Sequence, residues 1–150
     1  MEKRIKEEDI TKFLLDWLEE KGWTILCFDF PQSGTGIAIH PNDRKTKNKG
    51  TFIPDIVAHK GDIVLFFENK DRFVMDDFTK IERLRTTEEY SNDISALLMQ
   101  VNYKTILYGV GLPESESTIA HIKDNIAMVD FAILVNETGI IQVQDAQIDF

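Results

Sequence analysis

The chain has 150 residues, of which 43% are hydrophobic and 29% are charged, and its formal net charge is −9. This length and composition predict a single globular domain over residues 1–150, and the acidic balance argues against a broad basic face that binds nucleic acid. No apolar run approaches the roughly 18 residues of a membrane span, and the charged first residues lack the apolar core of a signal peptide. The one cysteine, Cys27, favours a reduced compartment, so we expect a cytoplasmic protein without a membrane partner.

The first predicted elements are an amphipathic helix over residues 3–21 and a strand over residues 23–30. Gly22 follows the helix in the position of a C-terminal cap. Glu7 falls near the apolar stripe of the helix, whereas Glu8 points away from it. The apolar residues that recur at helical spacing are Ile10, Phe13, Leu14, Trp17 and Leu18.

A polar segment over residues 41–51 follows, and its position next to the succeeding strand gives it two interpretations. It is either a flexible loop that contacts DNA phosphates without reading bases, or an ordinary solvated surface. Its cations are Arg44, Lys45, Lys47 and Lys49.

Residues 52–70 predict a hairpin of two apolar strands joined by a tight turn at Lys60-Gly61-Asp62. Asp55 and Glu68 both lie at the open end of this hairpin, so strand pairing brings them together. Glu68 and Lys70 are two residues apart and therefore project to the same face. Two carboxylates buried near each other require a compensating positive charge, which a hard divalent cation supplies.

Pro54-Asp55 followed by Glu68-Asn69-Lys70, with strand character around both, resembles the PD-(D/E)XK nuclease superfamily, which includes type II restriction endonucleases and archaeal Holliday-junction resolvases. The resemblance covers roughly residues 5–110. It implies that Asp55, Glu68 and Lys70 are catalytic, and that Asp55, Glu68 and the main-chain carbonyl of Asn69 bind Mg²⁺ or Mn²⁺. It also implies that an acidic residue of the first helix joins the metal through water, and Glu7 is the candidate; the alternative is a solvated first-turn glutamate that the helix macrodipole favours. The alternative is a surface hairpin whose charges are solvated.

The next segment, residues 75–101, is predicted to be mostly helical. Thr86 and Glu89 have the spacing of a capping box that restarts the helix. Arg72 continues the alternation of the hairpin strand, which places it either against a phosphate or in a surface salt bridge. The cations of the first helical part either flank a substrate groove or are ordinary surface charges; they are Lys80, Arg83 and Arg85.

The last third of the chain predicts a buried strand over 104–110, a turn at 111–113, a helix over 114–126 and paired strands over 131–135 and 140–144. Together these elements predict an α/β fold with a restriction-endonuclease-like αβββαβ core. In that fold a mixed central sheet is flanked by helices, and a C-terminal helix and strand pair extend it. Residues 105–150 hold one basic residue, Lys123, against seven acidic ones, and this acidic tail would face a partner or weaken non-specific DNA binding.

These features lead us to expect a metal-dependent nuclease that hydrolyses DNA phosphodiester bonds, in restriction, repair or junction resolution. The metal site alone does not distinguish DNA from RNA. Little sequence is left beyond the core for reading bases, so recognition would be structural, or a specificity subunit would supply it. Two-strand cleavage favours a homodimer. A catalytically inactive nuclease-fold interaction module within a larger nucleic-acid-processing complex is the second hypothesis.

Overall fold

A six-stranded mixed sheet and four α-helices make up the chain in the computed structural model, which describes residues 5–29, 37–42 and 51–150. None of the helices in these ranges has the length and apolar character needed to cross a membrane. The elements in chain order are α1 (Glu7–Glu20), β1 (Thr24–Phe28), β2 (Ile56–Lys60), β3 (Ile63–Asn69), α2 (Met75–Thr86), α3 (Ser91–Leu97), β4 (Thr105–Pro113), α4 (Glu116–Asn125), β5 (Phe131–Val135) and β6 (Ile141–Ala146).

The strands lie side by side in the order β1-β2-β3-β4-β5-β6. The first three pair antiparallel, β3-β4-β5 pair parallel, and β6 returns antiparallel to β5. The connections between the parallel strands run through α2 and α3 and then through α4. The α/β class, the mixed sheet and the C-terminal helix with its strand pair are therefore confirmed.

Two apolar layers cover the two faces of the sheet, because successive strand residues point in opposite directions. Phe67 belongs to the layer that packs under α1, together with Ile10 and Leu14. Phe66 belongs to the opposite layer, together with Phe78 and Ile81 of α2. A polar residue that lies in phase with Phe66 therefore projects into the α2 layer, and one in phase with Phe67 projects into the α1 layer.

The first helix is shorter than predicted and ends as expected. It covers Glu7–Glu20 instead of residues 3–21, and residues 3 and 4 lie outside the described part. Gly22 has a φ of 91°, and the Trp23 N–H donates to the Leu18 carbonyl at 2.9 Å. This is the hydrogen-bond pattern of a glycine-terminated helix, so the predicted C-terminal cap is confirmed.

β1 contains Cys27 in a buried position. The strand covers Thr24–Phe28 instead of residues 23–30, and Phe30 lies outside the described residues. Burial raises the pKa of the Cys27 thiol to about 11, so the thiol stays protonated at neutral pH. The side chain therefore acts as a small core residue.

The predicted hairpin is confirmed, with β2 and β3 as its arms. Ile56 pairs with Phe67 at the open end, and Lys60 pairs with Ile63 at the turn. Gly61 has a φ of 59°, a backbone conformation that glycine adopts without a Cβ penalty. The tight turn at Gly61 and the burial of both strands thus select one register of pairing.

The capping box predicted at Thr86 and Glu89 is wrong. Thr86 is the last residue of α2, and its hydroxyl donates to the Glu82 carbonyl at 2.8 Å. The Glu89 carboxylate accepts from the Arg83 Nε at 2.6 Å. Both side chains are engaged by α2, and the chain restarts as α3 at Ser91.

The turn predicted at residues 111–113 is also wrong, because β4 continues through it to Pro113. Gly111 pairs with Asn69 of β3 on one side and with Ile133 of β5 on the other. A Cβ at Gly111 would collide with the side chains of Asn69 and Leu14. The glycine thus marks a close approach of α1 to the sheet, and pairing on both edges overrides its local preference for a turn.

We expect the Gly111→Ala substitution to destabilise the fold by about 1–3 kcal/mol, since the added methyl overpacks the contact under α1. Urea denaturation of the purified chain measures this change. Ser117→Ala on the exposed side of α4 is the control and should leave the midpoint within error. An unchanged midpoint for Gly111→Ala would contradict the proposed close approach.

Candidate active site

Asp55 and Glu68 lie opposite each other at the open end of the β2–β3 hairpin. The ladder pairs Ile56 with Phe67, and the Asp55 N–H extends it by donating to the Phe67 carbonyl at 2.9 Å. Asp55 is 8% exposed and Glu68 is 7% exposed. The structure therefore brings together the two carboxylates that the sequence predicted, in a nearly buried setting.

The alternation of β3 sends Glu68 and Asn69 to opposite faces of the sheet. Glu68 follows the phase of Phe66, whose layer packs against α2, and Asn69 follows the phase of Phe67 on the α1 side. Lys70 continues the ladder by one residue, since its N–H donates to the Gly111 carbonyl at 3.1 Å. Because successive strand residues project to opposite faces, the side-chain amide of Asn69 points away from Glu68.

Asn69 links the hairpin to the first helix. Its main-chain N–H donates to Asp55 Oδ2 at 2.7 Å, and its side-chain Nδ2 donates to Thr11 Oγ1 at 3.0 Å. Asn69 is fully buried, and the missing Cβ of Gly111 provides the space for its side chain. Thr11 was missed by the sequence reasoning, although it is a polar residue beside the apolar stripe of α1. This chain of contacts fixes the rotamer of Asp55 and the distance of α1 from the hairpin.

A third acidic side chain, Asp77 near the start of α2, approaches the same site. Asp77 is 5% exposed, and its charge acts on Glu68. Asp77 lies outside the predicted site, yet the sequence carries a signal for it, because residue 77 precedes Ile81 and Leu84 by one and two helical turns. An acidic residue on the buried stripe of a helix is unusual unless it has a partner.

Glu7 and Lys70 lie half-buried at the edge of this cluster. Burial raises the pKa of Glu7, and the Lys70 ammonium partly offsets that rise. Burial acts to lower the pKa of Lys70, but the surrounding carboxylates outweigh it and raise that pKa. The carboxylates that act on Lys70 are those of Glu7, Asp77, Glu68 and Asp55. The first-helix position predicted for Glu7 is therefore within electrostatic reach of the hairpin acids.

Burial perturbs the pKa values of both hairpin carboxylates. Burial raises the pKa of Asp55 to about 7, and the nearby charges of Glu7 and Asp29 act in the same direction. Burial and the Asp55 charge raise the pKa of Glu68 to about 9. The hydrogen bond from the Asn69 N–H opposes the rise at Asp55, whereas Glu68 Oε2 is buried without a hydrogen-bond partner. The site therefore favours a bound positive charge or a proton.

The donor set of this cluster fits a hard divalent cation. Carboxylate oxygens are the ligands that Mg²⁺ and Mn²⁺ prefer, and the unpartnered Glu68 Oε2 is a free acceptor. Within the described ranges, no group of three or more His, Cys, Asp or Glu side chains is placed to hold a metal ion. The predicted direct side-chain ligands are only two, Asp55 and Glu68, and Mg²⁺ commonly keeps several waters with one or two protein carboxylates.

The predicted DNA-binding residues are only partly covered by the structure. Those of the basic segment lie outside the described residues; they are Arg44, Lys45, Lys47 and Lys49. Arg72 is exposed, and its guanidinium donates to Asp71 Oδ1 at 2.8 Å. This contact is the surface salt bridge that the sequence analysis gave as the alternative, and such pairs contribute little to stability.

A cleft of about 640 Å³ begins directly beyond Lys70. It lies at the carboxyl ends of the parallel strands β3, β4 and β5, where α/β proteins commonly bind ligands. Phe73 and His121 stack on its wall with ring centroids 4.4 Å apart. Serine and threonine side chains at the start of α4 complete that side, whereas Asp55, Glu68 and Asp77 do not line the cleft.

No protein-family model, curated protein or solved structure matches the chain. The resemblance to PD-(D/E)XK nucleases therefore depends on Pro54-Asp55, Glu68-Asn69-Lys70 and the place of these residues in the fold. The roles of Asp55, Glu68, Lys70, Asn69 and Glu7 stay predictions.

The raised pKa values predict that the metal-free chain loses stability as the pH rises. The folded chain holds protons on Asp55 and Glu68 more tightly than the unfolded chain, so its free energy of unfolding falls between about pH 5 and about pH 9. Glu68→Gln removes one buried charge and should make the chain more stable than wild type by about 1–3 kcal/mol near pH 9 in EDTA. Urea denaturation across this pH range measures both effects.

Glu82→Gln is the matched control, since Glu82 is an exposed glutamate on α2. This variant should follow the wild-type pH dependence. A Glu68→Gln variant that is less stable than wild type near pH 9 would show that the buried carboxylate is satisfied without a cation.

Proposed function

We propose that the chain is a Mg²⁺-dependent endonuclease of the PD-(D/E)XK type, which hydrolyses DNA phosphodiester bonds. The observation that carries this proposal is the placement of two nearly buried carboxylates, Asp55 and Glu68, opposite each other beside the Lys70 ammonium. A solvated surface hairpin would leave these carboxylates exposed. The order of elements, with one helix before three antiparallel strands and a helical connection to a parallel strand, agrees with a restriction-endonuclease-like core.

In this proposal Asp55, Glu68 and the main-chain carbonyl of Asn69 hold Mg²⁺ or Mn²⁺, and Glu7 contributes through water. The bound ion supplies positive charge for the scissile phosphate and lowers the pKa of a coordinated water. Asn69 keeps Asp55 in place through its N–H, and the Asn69–Thr11 hydrogen bond holds α1 against the hairpin. The protein thus fixes two acidic ligands before substrate binds.

Lys70 acts as a hydrogen-bond donor in the proposed reaction. Its raised pKa keeps the ammonium protonated at neutral pH, which disfavours a role as the base that removes a proton from water. The ammonium offsets the negative charge that grows on the phosphate while the water oxygen attacks phosphorus and the phosphorus–oxygen bond to the leaving strand breaks. The attacking water releases its proton to solvent, and the leaving 3′-oxygen takes up a proton from solvent. By analogy with the superfamily, the products carry 5′-phosphate and 3′-hydroxyl ends.

Substrate recognition in this proposal has three parts. The basic segment that contains Arg44, Lys45, Lys47 and Lys49 contacts the DNA backbone, and Arg72 reaches a phosphate after leaving Asp71. Every helix and strand of the described residues belongs to the sheet or to the layers that cover it, so none is left to read bases. The chain therefore recognises the structure of the DNA, or a second copy or a specificity subunit supplies sequence recognition. RNA is the alternative substrate.

A catalytically inactive interaction module is the competing function. The net charge of −9 opposes the binding of a polyanion, and the two direct carboxylates are fewer than many metal sites have. In that case the nuclease-like fold would bind a partner within a nucleic-acid-processing complex. The two proposals differ in one measurable property, which is metal-dependent cleavage.

We expect the purified chain to cleave plasmid, junction or single-stranded DNA in Mg²⁺ or Mn²⁺ and to stop in EDTA. Asp55→Asn should lower the cleavage rate by about 100-fold or more, because it removes a charged ligand. Lys70→Met should lower it by about 100- to 1,000-fold, because it removes a preorganised donor. Gel assays with labelled substrates, run beside RNA of the same sequence, measure these rates.

Asp62→Asn is the matched control for Asp55→Asn, since Asp62 is an exposed aspartate at the opposite end of the same hairpin. Lys123→Met, an exposed lysine of α4, is the control for Lys70→Met. Both controls should cleave at the wild-type rate. Binding of nucleic acid or of a protein partner without cleavage, unaffected by EDTA, would support the interaction module and contradict the enzyme.

A further inference from the structure

Asp77 of α2 is a buried acidic side chain to which neither the sequence motif nor the proposed reaction gives a role. It is 5% exposed, and its Oδ2 is buried without a hydrogen-bond partner. No ion pair involves Asp77 among the residues that the structure describes. Burial of a carboxylate oxygen without a hydrogen-bond partner is unfavourable, so we expect a group outside the polypeptide to satisfy it.

The placement of Asp77 relates it to Glu68. Glu68 projects from β3 into the layer that α2 covers, and its Oε2 is the second unpartnered carboxylate oxygen of this layer. After Asp55, Asp77 is the charge that acts most strongly on Glu68. Two buried carboxylates in the same layer, each with a free oxygen, repel each other unless a proton or a cation compensates their charge.

The helix dipole alone does not explain this position. Asp76 and Asp77 are both acidic residues of the first turn of α2, where the dipole favours negative charge. Asp76 is exposed and gains that interaction without leaving water. The burial of Asp77 therefore needs a further partner.

Direct metal ligation by all three acids is not the arrangement found. No group of three such side chains is placed to hold an ion in the described part of the chain. A Mg²⁺ ion bound by two carboxylates retains several waters, and each water can donate to a carboxylate in the next layer. Asp77 is buried on α2, the helix that covers the face of β3 from which Glu68 projects.

We propose that Asp77 is a third carboxylate of the cation site, which accepts hydrogen bonds from the waters of an ion held directly by Asp55 and Glu68. This inference rests on the proposed cation site and adds a positioning residue to it. Asp77 then orients the coordinated waters and raises the affinity for a hydrated divalent ion such as Mg²⁺ or Mn²⁺. The positive charges of Lys70 and Lys80 act on Asp77, and they limit the repulsion among the carboxylates before the ion binds.

The test is direct binding of Mn²⁺ to the full chain without substrate, by electron paramagnetic resonance of free Mn²⁺ and by titration calorimetry. Asp77→Asn should weaken Mn²⁺ binding about 10- to 100-fold, as is usual for residues that support metal ligands through hydrogen bonds. Asp76→Asn removes the same formal charge from the adjacent exposed position and should change the affinity less than about 2-fold. Asp55→Asn should abolish binding.

Thermal unfolding in EDTA separates metal binding from folding. Asp77→Asn and Asp77→Leu should be at least as stable as wild type without metal, and both should gain less from added Mn²⁺. If both variants unfold in EDTA, Asp77 has a structural role and the inference is overturned. If Asp77→Asn binds Mn²⁺ with wild-type affinity, the inference about Asp77 is overturned and the proposed function is not. If the wild-type chain binds no Mn²⁺, both the inference and the proposed function are overturned.

Discussion

The structure depends on the register of one hairpin, in which two carboxylates are opposed in a nearly buried position. Val57 and Phe66 define the face that packs against α2, and Asp55 and Glu68 continue that face by two residues in each strand. A slip of one residue between the two strands would turn the side chains of one strand to the opposite layer and separate the two acids. The register of the hairpin therefore holds the acidic pair together, and the packing of the sheet offsets the cost of their desolvation.

The elements that the sequence predicted well are those encoded by short-range pattern. The hairpin follows from two short apolar runs and from Gly61, whose positive φ suits the turn, and the end of α1 follows from Gly22. The elements that it predicted poorly depend on distant partners. β4 runs through Gly111 because strands pair with it on both sides, and Thr86 does not cap a helix because α2 already engages it. The conformational preference of a short sequence segment contains no information about either of these contacts.

The residues of the candidate site fall into the same two groups, those that a short-range pattern predicts and those that depend on distant partners. Asp55, Glu68 and Lys70 were predictable because two of them share a strand and the third faces them across one turn. Asp77 and Thr11 come from helices on opposite faces of the sheet, and only the folded arrangement shows that both reach the same end of the hairpin. Each does carry a signal, namely a polar residue on or beside a buried helical stripe. That signal indicates burial but does not name the partner.

Charge explains how so acidic a chain could act on a polyanion. Without an ion, the cluster of Glu7, Asp55, Glu68 and Asp77 repels phosphate, and Lys70 alone cannot reverse four carboxylates. A divalent ion would add two positive charges where the scissile phosphate must lie, and the acidic surface elsewhere would still repel DNA. Under the proposed function, productive contact would therefore be restricted to the loaded site and the basic segment before Asp55. The net charge of −9 then limits unproductive binding and does not argue against a nucleic-acid substrate.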